Sequence, residues 1–275
     1  MPGVYPYTWL IDFTSFGDKA VTGLYIFRPT TAYESLVNTW FVSVANEMGL
    51  IDSDSLDSFR SAKCSLPDGI YGDTPYLLYP ANVFAESYSD PGSIARSSFR
   101  MPVGALMGSC LFLSGGHISN LELALHQLIM HLKGILANPE SDLATMLKWI
   151  VFDTLIGDLS QMPYRYQVVM SGDGLALTTV PFWAVVAKDD INHETQRQFG
   201  FQIQLEEPSS VGLLSNKVLD DLSAVAGLAT GELSLFRDSC ISQLEKTAPG
   251  FLRRVSSFAE EEGIDSKKNS FRNAK

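Results

Sequence analysis

The chain is short of bases. Its 275 residues hold 20 Lys and Arg against 31 Asp and Glu, a formal net charge of −11. Wrapping bare DNA or RNA requires clustered cations to neutralise phosphates, so nucleic-acid binding by this chain alone is disfavoured. Cysteine is scarce and odd in number: Cys64, Cys110 and Cys240. No two of them have metal-ligand spacing, and the pattern favours reduced thiols in a cytosol. Of the four histidines, His117, His126, His131 and His193, only His126 and His131 lie close in sequence. They are five apart and face different sides of a helix, so they do not form the i, i+4 pair of a zinc site. No metal site is expected. The opening MPGVYPYTWLIDF lacks the basic and apolar regions of a secretory signal. The longest charge-free run, Met101 to Asn120, is broken by glycines and a proline and reads as a buried or loop segment, not a membrane span. There is no G-x-S-x-G nucleophile elbow.

What is present is enough apolar content, 45%, to bury a core. Aromatic and β-branched runs predict a β-hairpin over Tyr7–Phe13 and Thr22–Arg28. Leu36, Val37, Trp40, Phe41, Val44, Ala45 and Met48 recur at three- and four-residue steps, which predicts an amphipathic helix stopped by Gly49. Strands are expected near Phe59–Cys64 and in TPYLLYPANVF, followed by a loop through ESYSDPGSIARSSFRMPVG. A helix over Asn120–Leu136 comes next. A second follows in NPESDLATMLKWIVFDTLIGD, with Ser141 or Asp142 as its cap and Gly157 as its end. Strands over Tyr166–Met170 and Leu175–Thr179 are joined by the turn signal SGDG. Helices over Asn216–Ala226, Gly231–Glu245 and Ala248–Glu262 end the ordered part, and the apolar face of the last of them is expected to dock on the core, with a partner interface as the alternative. This order of elements predicts an α+β chain of two lobes. Residues 1–80 form a small β-rich lobe with one helix, 81–262 a larger helical lobe with an inserted hairpin, and 263–275 a disordered tail.

Several strings, in order, resemble the core of the HipA-like serine/threonine kinases. GVYPY at Gly3–Tyr7 stands where that family has G-x-Q-P-K, and YIFRP at Tyr25–Pro29 is similar to its Y-[IL]-x-K-P strand. LVNTWFVSVANEMGL resembles the helix that carries N-E, and TPYLLYPANVF the strand leading to the hinge. WIVFDTLIGDLSQMPYRY resembles [WL]-x-x-F-N-x-L-I-G-N-x-D-x-H-x-K-N, and SGDGLALTTVPF the strand that brings in a metal-binding Asp. The resemblance covers most of residues 1–205 and implies a two-lobed kinase-like fold.

It also implies a loss of chemistry. Phosphoryl transfer is mostly positioning and charge compensation, supplied in such enzymes by a Lys, a Glu that holds it, a catalytic Asp and groups on Mg²⁺. The matching positions here are Arg28 for the Lys, Thr39 for the Glu, Ser160 for the Asp and Met162 for the loop His, with Tyr164 and Arg165 for the Lys and Asn that follow. Arg is not equivalent to Lys as a phosphate ligand, and Ser160 cannot accept a substrate proton as a carboxylate would. No carboxylate occurs between Leu175 and Ala187. Asp158, where the family has Asn, and Asp173, in the SGDG turn, are the nearby acids; turn chemistry accounts for Asp173. No catalytic residue is therefore expected, and no cofactor.

Three functions follow as expectations. The first is an inactive HipA-like kinase fold, cytoplasmic, serving as a protein-binding or scaffolding subunit of a bacterial or mobile-element assembly. Its apolar string Val180–Val186 either fills the cleft or meets a partner. The second is a divergent transferase that still binds ATP and Mg²⁺, through Arg28 and Asp158. The third is an unrelated two-lobed α+β binding protein, which would lack a five-stranded N-terminal sheet.

Overall fold

The computed structural model describes residues 9–12, 24–29, 32–51, 60–63, 75–80, 100–103, 106, 121–156, 166–179 and 214–261. Outside them lie Cys64, Cys110, His117, His193, the serine-rich loop before residue 100, the string Val180–Val186 and the tail from 263.

The expected α+β content is present. Strands β1 (Trp9–Asp12), β2 (Leu24–Pro29), β3 (Arg60–Lys63) and β4 (Pro75–Pro80) form an antiparallel sheet in the order β1-β2-β4-β3. Among the described residues this sheet has four strands. Helix α1 (Ala32–Glu47) follows β2 and contacts β4. Its 3.6-residue period works as the spacing predicts: Val37, Phe41, Val44 and Ala45 are buried on one face, with Trp40 half-buried beside them. Gly49 at φ 69 ends it. The Leu50 N–H reaches back to the Ala45 carbonyl at 2.8 Å, a helix stop that needs a residue at ease with positive φ.

A second sheet joins β5 (Arg100–Pro102), β6 (Tyr166–Ser171) and β7 (Gly174–Thr179), in that order and all antiparallel. Strand β5 lies inside the stretch expected to be loop. It has three residues and ends in Pro102, so it carries almost none of the alternation by which strands are recognised. The hairpin closes at Ser171 and Gly174 around Gly172 and Asp173, as SGDG predicts.

Helices α2 (Leu121–Ile135), α3 (Pro139–Leu155), α4 (Asn216–Ala226) and α5 (Glu232–Glu261) pack on one another and share a core with α1 and the second sheet. Trp149, Tyr166, Phe152, Leu125 and Leu128 are its largest fully buried side chains. Phe41 of α1 meets Phe152 of α3 edge-on, with centroids 6.3 Å apart. In α4, Ser215 caps the start and left-handed Gly227 ends it, while the Lys133 ammonium donates to the Val225 carbonyl at 3.3 Å, a cation at the negative helix end.

Two expected boundaries are corrected. Helix α3 starts earlier than Ser141 or Asp142: Asn138 stands at its N-cap position, without a side-chain capping bond, and Pro139 in its first turn. The two C-terminal helices are one helix that runs through Pro249. A proline costs a helix one backbone hydrogen bond and some strain. Here Leu233, Cys240, Leu244, Phe251 and Val255 all fall on one stripe facing the core, and burial on both sides of Pro249 outweighs that cost.

Candidate functional site

Two aspartates of α3, Asp142 and Asp153, are buried. Eleven residues separate them, three turns to within about 20°, so both face the same way. That direction is the β6–β7 hairpin.

Among the described residues β7 is an edge strand, and an edge presents unpaired N–H and C=O groups. On β7 they are met by the α2–α3 connection. The Ala137 N–H donates to the Leu175 carbonyl at 2.8 Å, and the Leu177 N–H donates to Asp142 Oδ2 at 2.9 Å. Leu175 and Leu177 point their backbone groups to the same side because strand geometry repeats every two residues. The carboxylate of Asp142 thus completes a sheet, and it sits in the first turn of α3, where the helix dipole favours negative charge. Gly174 permits the close approach. Its φ is 127, and a Cβ there would stand 3.2 Å from the Ala137 Cβ.

At the other end of α3 the Tyr166 hydroxyl donates to Asp153 Oδ2 at 2.8 Å, with both residues fully buried. Asp153 lies in the last turn, the end of a helix dipole least suited to an anion. The Tyr166 hydroxyl gives this buried oxygen a hydrogen-bond partner there.

The hairpin has two buried faces. Tyr166, Val168 and Leu177 join the main core, whereas Val169 and Ala176 form a small separate cluster on the other face. Gln167 and Thr178 are buried on that second face, and the Thr178 hydroxyl has no hydrogen-bond partner among the described residues.

The expected site positions fare as follows. Arg28 is on β2, opposite Leu77 of β4. Thr39 is on the exposed side of α1, away from the face that carries Val37 and Phe41. Asp158, Ser160, Met162, Tyr164 and Arg165 lie outside the described residues. Asp173 is exposed in the hairpin turn. His126 is half-buried and His131 exposed on α2, about 140° apart around the helix. Among the described residues no group of three or more His, Cys, Asp or Glu is placed to hold a metal ion. A small cavity between α3, α4 and α5 is lined by Leu147, Ile150, Val151, Leu219, Leu222 and Leu233, among others. It has room for about one water-sized sphere and offers almost nothing polar, so it is a packing defect and not a substrate pocket. Cys240 is buried, and burial pushes its thiol up to about 12, away from nucleophilic use. No helix among the described residues is long and apolar enough to cross a membrane.

The buried pair Asp142 and Asp153 was not singled out by sequence reasoning. Asp142 looks like a cap, and Asp153 follows the apolar run Trp149–Phe152. The available signal was the lone acid inside a run of core residues.

No protein-family model matches the chain, and no curated protein matches it.

Proposed function

We propose that the chain is a catalytically inactive protein of the HipA-like kinase fold and serves as a protein-binding or scaffolding subunit in a bacterial or mobile-element assembly. On this reading β1–β4 with α1 are the small lobe, and α2–α5 with β5–β7 the large one. The protein works in the cytosol, on a protein partner, without ATP or Mg²⁺.

One observation supports it most directly. Two acids in or near the string that resembles the catalytic region are spent on structure: Asp142 closes the β7 edge and Asp153 holds Tyr166. A carboxylate buried in such a bond is poorly placed to hold a metal or take a substrate proton. The exposed Thr39, where a Glu would be needed to hold a cation, agrees with it.

Thermal unfolding with and without excess ATP and Mg²⁺ tests the inactive reading. A ligand at about 100 times its dissociation constant adds roughly 2.7 kcal/mol, which raises the midpoint by several degrees for a chain of this size. An unchanged midpoint is expected. A Mg²⁺-dependent rise, abolished by Arg28→Ala, would replace this reading with that of a divergent transferase. The partner is then sought by cross-linking in the source cell and checked by rebuilding the complex from purified components.

A further inference from the structure

Upstream of Pro249, helix α5 is held by α3 and α4 as well as by α1, where Gln243 donates to Glu47; downstream, the described side chains lean chiefly on α1. Upstream, Leu233 and Cys240 are fully buried, Glu232 pairs with Lys148 of α3 at 2.9 Å, and the Gly231 N–H before the helix donates to Asp220 Oδ1 of α4 at 3.0 Å. This half belongs to the helical core. Downstream, Phe251 is buried and Val255 packs against the core, whereas Leu252, Arg253, Arg254, Ser256 and Ser257 are exposed. The main anchor of this half is on α1. The Trp40 indole stacks on the Phe251 ring with centroids 4.3 Å apart and planes 11° apart.

Between the halves the backbone is weak. Pro249 has no N–H to give to the Glu245 carbonyl, and Gly250 is the poorest helix former after proline. On the near side of this break the Trp40 Nε1–H donates to Thr247 Oγ1 at 2.9 Å, and the Thr247 hydroxyl donates to the Gln243 carbonyl at 2.8 Å. Trp40 therefore stays tied to the upstream half through Thr247 when the downstream half lifts.

We propose that residues 250–257 form a strap, hinged at Pro249, that closes over Trp40 and opens as a single unit while the upstream half of α5 stays packed. Few buried contacts and one aromatic anchor among the described residues, together with a missing ladder bond, are the features of a segment that opens below the global unfolding free energy. Opening uncovers one face of Trp40 and the whole of Phe251, an aromatic pair that the closed state conceals. The inference stands whether or not the kinase-fold reading does.

Hydrogen exchange on the full chain, resolved to single amides, tests it. A step is expected at Pro249, with amides 251–257 exchanging together and at least about tenfold faster than 236–246. Phe251→Ala speeds the strap amides and leaves 236–246 unchanged. Pro249→Ala restores the missing bond and slows them. Equal protection on both sides overturns the proposal. So does a smooth gradient rising to the C-terminus, which is ordinary fraying, or a Phe251→Ala variant that loosens both halves alike.

Discussion

The Tyr166 hydroxyl and the Asp153 carboxylate meet at 2.8 Å with neither residue open to water. The bond joins the last turn of α3 to the first residue of β6. Tyr166→Phe removes the donor and keeps the ring, leaving a buried carboxylate short of one partner. The expected loss is about 2 kcal/mol of stability. Asp153→Asn keeps an acceptor for Tyr166 and is expected to cost less. Urea unfolding of both variants and of the double variant measures the coupling; a Tyr166→Phe midpoint equal to that of the parent would mean the bond contributes nothing.

Asp142→Ala leaves the Leu177 N–H on the β7 edge without its acceptor. The expected cost is about 1–3 kcal/mol. The Leu177 amide should also exchange faster, while amides bonded inside the β6–β7 ladder change little. Exchange spreading evenly over the whole hairpin would instead make Asp142 a general core residue, not an edge cap.

Thr178 offers the opposite case. Its hydroxyl is buried without a partner among the described residues, so Thr178→Val removes an unsatisfied group at almost constant shape and suits a strand. A gain of up to about 1 kcal/mol is expected. A loss of stability in the same unfolding experiment would show that the hydroxyl has a partner.

The Cys240 thiol, held up to about 12 by burial, makes stability fall in alkali. The unfolded thiol ionises near 9 while the folded one stays protonated, so the unfolded state binds fewer protons. The contribution is constant below that pH and declines as pH rises from about 9 towards 12, by at most about 1.4 kcal/mol per pH unit. Cys240→Ala should flatten this slope. At pH 8 a thiol reagent should modify Cys240 only as fast as the protein opens, so rapid labelling of native protein at this position would contradict the burial.

The helices were legible because their apolar residues recur at helical steps; Val37, Phe41, Val44 and Ala45 fall where the pattern puts them. Pro249 was misread because a proline acts locally, whereas the reason the helix continues is tertiary: Phe251 is held by Trp40, more than two hundred positions away in the chain. Asn138 and Asp142 illustrate a related limit. Both are good capping residues, and nothing local tells a cap from an acid that reaches across to another strand. Strand β5 was too short to announce itself. Of the candidate site, sequence placed Arg28 on a strand and Thr39 on a helix, where the structure has them. It could not see that Asp142 and Asp153 point at one hairpin, because that follows from where the hairpin docks.

The closure of β7 by Ala137 and Asp142 also limits how a partner could bind. A peptide that recognises a sheet by adding one more strand needs a row of free backbone groups. Beside β7 that row is interrupted at Leu175 and Leu177, and the helix connection occupies the space the peptide would take. Strand addition to the β5-β6-β7 sheet is therefore directed away from this side, and a partner that meets the protein at the α3 end must read side chains instead of backbone.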